Sequence, residues 1–118
     1  MNKYVKARAD NLAKKEAKET LELKKYMDKY VRNNVKRLVY AYTHGDPSQI
    51  LRAKYHEFNS PAVRVAVVTR VLDELYHKGL KFTVVSLSDD YKDFDVIRQV
   101  FFYDGPGMPK HQYKPEEE

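Results

Sequence analysis

Cysteine is absent from all 118 residues, which excludes disulfides, thiolate metal sites and a cysteine nucleophile and points to a reducing compartment. Long apolar runs are missing as well. Uncharged apolar runs such as Val65 to Thr69 are far short of the roughly 20 residues a membrane span needs. The Lys-rich N-terminus has no apolar core segment, so no signal peptide is expected and the chain reads as cytoplasmic. There is no Gly/Ser linker and no internal repeat. Tryptophan is also absent, whereas tyrosine occurs ten times. Tyrosine joins a large apolar body to a polar tip and serves equally at interfaces and in small cores.

What is present is a chain of 42% hydrophobic and 33% charged residues, a composition that folds as one soluble domain. The net charge of +5 hides a gradient. Residues 1–42 hold 12 Lys/Arg against 5 Asp/Glu, whereas residues 79–118 hold 5 against 8. A basic first third points to an anionic partner met mainly by the N-terminal part.

Three regions are expected. Residues 1–20 carry many charges and few large apolar groups, and read as a basic extension, a frayed helix or disordered. Residues 21–103 read as a single folded domain, and 104–118 as a flexible tail ending Glu116-Glu117-Glu118. Within the domain, the spacing of Leu23, Tyr26, Met27, Tyr30, Val31, Val35, Leu38, Ala41 and Tyr42 predicts a long amphipathic helix. Gly45 suits its C-terminal cap. Asp46-Pro47 reads as the start of a second helix over Ser48 to Phe58, burying Ile50, Leu51, Tyr55 and Phe58. Ser60-Pro61 opens a third helix that ends at Lys78-Gly79, with Leu72 and Leu75 at the centre of its buried arc, against Ile50, Leu51 and Leu38. Leu80–Leu87 and Phe94–Tyr103 read as two strands of a hairpin around an acidic turn. The expected fold is therefore α+β, three helices followed by a two-stranded hairpin. Both strands carry large apolar residues on both faces. A homodimer is expected to cover what the first helix leaves open.

The stretch SPAVRVAVVTRVLDELYHKGLKFTVVSLSDDYKDFDVIRQVFFY, and VTRVLDELYHKGL within it, resembles the core of a winged helix-turn-helix domain over residues 46–103. The resemblance implies a small nucleic-acid-binding or protein-docking domain, with helix Pro61–Lys78 in the major groove if the ligand is DNA. Thr69 and Arg70 lie on its outward arc and could read base edges, beside Asp73 and Glu74, which would repel phosphates.

Stronger cationic character lies on the first helix. Lys14, Lys18, Lys25, Lys29, Arg32 and Lys36 fall within about 60° of one another on a helical wheel, and Lys14 to Lys36 spans ~33 Å. Such a row can track a phosphate backbone and release its counterions. The turn has the opposite character: Asp89, Asp90, Tyr91, Asp93 and Asp95 would avoid DNA and suit a basic protein surface. It lacks the D-x-D-x-D-G pattern of a calcium loop, and the four histidines are not at ligand spacing, so neither metal nor cofactor is expected.

The leading expectation is a non-enzymatic DNA-binding regulator or accessory protein. The alternatives are a protein-binding inhibitor or adaptor of a mobile element, acting through the acidic hairpin and tyrosines, and an RNA-associated structural protein.

Overall fold

A computed structural model describes residues 3–88 and 94–106, with side chains from residue 20 onward. Two compact units are distinguished, Met1–Tyr30 and Val31–Glu118. The elements run α1 (Lys3–Thr43), β1 (Ser48–Ala53), α2 (Pro61–His77), β2 (Phe82–Ser88) and β3 (Val96–Phe102). The chain is thus α+β with two helices and a three-stranded antiparallel sheet of order β1-β3-β2. This corrects the expectation of three helices and a two-stranded hairpin.

The difference lies in Ser48–Phe58. Asp46 and Pro47 suit a helix start, and Asp46 does make the bond a helix cap makes: its Oδ1 accepts from the Ser48 N–H at 3.4 Å. The same bond closes an Asx turn, and here the turn launches a strand. Pro47 offers its carbonyl to the Phe102 N–H at 3.0 Å, so β1 begins already paired to β3. Its burial alternates accordingly. Leu51 and Ala53 face the core with no exposure, whereas Ile50 stays 40% exposed. A period of two replaces the helical one because pairing to β3 along six residues satisfies more backbone groups than one isolated short helix would.

Both helix ends are as expected. After α1, the Asp46 N–H bonds the Ala41 carbonyl and the Gly45 N–H bonds the Tyr42 carbonyl. After α2, the Leu80 N–H bonds Leu75 and the Gly79 N–H bonds Tyr76. Each is a Schellman closure, and it needs the positive φ that Gly45 (78°) and Gly79 (84°) supply. Ser60 caps the start of α2, its Oγ accepting from the Val63 N–H, with Pro61 at the first position. At the helix ends His44 and His77 turn Nδ1 to the carbonyls of Tyr40 and Asp73.

α2 packs on the inner face of the sheet. Its buried arc is Arg64, Val67, Val68, Val71 and Leu75, opposite Leu51 and Ala53 of β1 and Val96, Val100 and Phe102 of β3. The arc is rotated from the expected one: Leu72 is half-buried, Val65 is exposed and Tyr76 is 73% exposed. Arg64 explains the rotation, since its whole side chain lies in the core and its Nη1 donates to the Phe58 carbonyl. In the Val31–Glu118 unit, α1 contributes Val31, Val35, Leu38 and Ala41 to the core, and the Tyr42 ring meets Phe102 edge-on at 5.5 Å. In the other unit, Leu21, Leu23 and Tyr26 are exposed.

Candidate nucleic-acid interface

Helix α1 places its cations by simple periodicity. Lys25 and Lys29 are one turn apart in the first unit, and Arg32 and Lys36 are one turn apart in the second. All four are exposed. Among the described residues none of the four is engaged in a hydrogen bond or an ion pair, so each keeps its full charge open to solvent anions. Lys14 and Lys18 belong to the same helix, and their side chains lie outside the described residues.

Arg37, one residue beyond Lys36, has a different role. Its guanidinium donates to the Gln49 side chain (2.9 Å), the Asn34 side chain (3.1 Å) and the Ile50 carbonyl (2.9 Å). It is a structural clamp on strand β1. Local spacing could not separate Arg37 from its neighbours, because its partners Gln49 and Ile50 lie 12 and 13 residues away in the chain.

On α2, Thr69 and Arg70 are both exposed, as expected for the outward arc. Asp73 and Glu74 share that exposure, so the surface around Arg70 is mixed in sign. Elsewhere on α2, Tyr76 is exposed, although apolar periodicity alone assigns it to the core.

The acidic turn is described only at its end. Asp89, Asp90, Tyr91 and Asp93 lie outside the described residues. Asp95 is half-buried and bound within its own chain: Oδ1 accepts from the Tyr55 N–H at 3.1 Å, and Oδ2 is 3.8 Å from the Arg52 Nε. Its main-chain carbonyl accepts from Ser88 Oγ at 2.9 Å. Asp95 therefore ties the end of β1 to the start of β3.

Among the described residues no cluster of three or more His, Asp or Glu could hold a metal ion, and no helix is long and apolar enough to cross a membrane. Comparison with protein-family models, with curated proteins and with solved structures finds no match to this chain.

Proposed function

We propose that this chain is a small, non-enzymatic nucleic-acid-binding protein with a regulatory or accessory role, and that duplex DNA is its ligand. The observation that carries the reading is two pairs of exposed cations, Lys25 with Lys29 in one unit and Arg32 with Lys36 in the other, each pair one turn apart and none of the four in an ion pair among the described residues. A carboxylate one turn away can pair with a helix cation, and Asp28 stands three residues after Lys25 and four before Arg32, yet neither cation is in an ion pair among the described residues. Left unanswered, they offer a phosphate backbone a favourable exchange, because each neutralised phosphate releases condensed counterions.

Arg70 and Thr69 supply a second, smaller anchor in this reading. The resemblance to winged domains enters through one unit only, helix α2 leading into the β2–β3 hairpin. Arg70 would then discriminate bases, while the cations of α1 provide affinity without sequence preference. The protein-docking alternative gains nothing from Asp95, whose carboxylate is already committed to Tyr55 and Arg52.

The test is a fluorescence-anisotropy titration of labelled duplex DNA, single-stranded DNA and RNA at two salt concentrations. Tightest binding to duplex, weakening steeply with salt, is expected. Tighter binding to RNA would move the reading to RNA, and no binding to any of the three at low salt would end it.

A further inference from the structure

Where α2 hands over to β2, a cleft of about 430 Å³ is lined by Tyr76, Gly79, Leu80, Lys81, Phe82 and Tyr103. Small-molecule sites are of this size. The closure at Gly79 forms it, turning the chain between Tyr76 on the last turn of α2 and Phe82 at the start of β2. Tyr103 joins them because its N–H donates to the Lys81 carbonyl at 3.1 Å. Three aromatic residues from three parts of the sequence thus share one cleft.

Its polar groups are uncommitted. Tyr76 is 73% exposed, and its ring meets His77 edge-on at 5.7 Å. Among the described residues no ring stacks flat on Tyr76, and neither its hydroxyl nor the Lys81 ammonium has a hydrogen-bond or ion-pair partner. A cleft of equal volume at the end of α1 differs in this respect. There Gln49 is already bonded to both Arg37 and Asp46.

Charge narrows the class of ligand. Aromatic rings by themselves attract a cation, but the charged residue lining this cleft is Lys81, and no carboxylate lines it. The end of a helix opposes an anion through its open carbonyls. Here those of Glu74, Leu75 and Tyr76 already accept from the N–H groups of Lys78, Leu80 and Gly79. Lys78, exposed beside Gly79, adds a second positive charge. A flat aromatic group carrying an adjacent anion answers both the rings and the ammonium groups.

We propose that this cleft binds one unpaired nucleotide, its base against the aromatic residues and its phosphate on Lys81. The cleft supplies the class, an aromatic anion, and the choice of a nucleotide rests on the nucleic-acid reading above. A base inside a duplex is stacked and paired, so the strand-borne form of this ligand is a single-stranded end. Base stacking on an aromatic side chain is tolerant of sequence. The site would therefore recognise the end of a duplex rather than its sequence.

The test compares a blunt duplex with the same duplex carrying a short single-stranded overhang, with free thymidine monophosphate as the second arm. The overhang should tighten binding by about tenfold. Tyr76→Ala should abolish that gain, Tyr76→Phe keep most of it and Lys81→Gln reduce it, with blunt-duplex binding unchanged in Tyr76→Ala. Thymidine monophosphate should compete for the gain, and inorganic phosphate should not. Uptake of the monophosphate, lost in Tyr76→Ala, without any overhang gain would assign the cleft to a free nucleotide. If the native chain binds no duplex yet shows that uptake, the nucleic-acid reading fails and the cleft stands. Conversely, duplex binding with neither an overhang gain nor uptake of the monophosphate would overturn the proposal and leave that reading intact. A gain that survives Tyr76→Ala would overturn it as well. So would competition by inorganic phosphate, or by a phosphotyrosine peptide, as strong as that of the nucleotide.

Discussion

Arg64 Nη1 donates a hydrogen bond of 2.5 Å to the main-chain carbonyl of Phe58, and neither residue is more than 1% exposed. The bond ties the turn that follows β1 to the first turns of α2, and it places a guanidinium where the helical pattern calls for an aliphatic group. Burying such a group without a partner is expensive, and the bond to the Phe58 carbonyl offsets part of that cost. Arg64→Ala should destabilise the fold by about 2–5 kcal/mol, through the cavity it leaves and the orphaned carbonyl. Arg64→Met keeps the stem and should lose at least about 1 kcal/mol less. Urea denaturation of the two variants checks the order; equal losses would mean that packing contributes little.

The rotated arc of α2 changes which leucine matters. Leu75 has no exposure and Leu72 is half-buried. Leu75→Ala should cost about 2–5 kcal/mol and Leu72→Ala clearly less. Thermal or urea melts showing the reverse order would return the helix to the facing that its apolar periodicity predicts.

Asp95 acts in two ways that substitution separates. Asp95→Asn keeps an oxygen for the Tyr55 N–H and gives up only the partly exposed pair with Arg52 at 3.8 Å. It should cost less than about 1 kcal/mol. Asp95→Ala removes the acceptor too and should cost about 1–2 kcal/mol. Equal stabilities of the two variants in urea would show that the bond to Tyr55 contributes nothing.

Much of this fold was legible where the signal is local. Gly45 and Gly79 announced helix ends, Ser60-Pro61 announced a helix start, and the β-branched runs after Leu80 announced β2 and β3. The segment Ser48–Ala53 was not legible, because Asp46 makes the same side-chain to backbone bond whether it opens a helix or a strand. What decides is β3, almost fifty residues away in the chain, and no local window contains it. The same limit applies to the surface. Helical spacing correctly placed Lys25, Lys29, Arg32 and Lys36 outside, but it could not show that Arg37 is committed to β1. Nor could it place Tyr76 on the surface, since nothing local marks Arg64 as a core residue.

On the ligand surface, Arg70→Ala should weaken binding by about 1–3 kcal/mol on a preferred duplex and little on random sequence. Replacing Asp89, Asp90 and Asp93 by Asn should leave DNA binding unchanged or tighter, since their charges oppose phosphate. Competition binding with matched and random duplexes reads both effects. Loss of all activity in the Asn variant would instead make the acidic turn the functional surface.

The most direct measurement is the salt dependence of duplex binding for the native chain and for a variant with Lys25, Lys29, Arg32 and Lys36 all replaced by Gln. If these cations meet phosphates, the variant binds every sequence more weakly. Its slope of log affinity against log salt becomes shallower by about 0.9 for each phosphate no longer neutralised. An unchanged slope with unchanged affinity would show that α1 does not meet the nucleic acid, and would contradict the assignment of this helix as the binding surface.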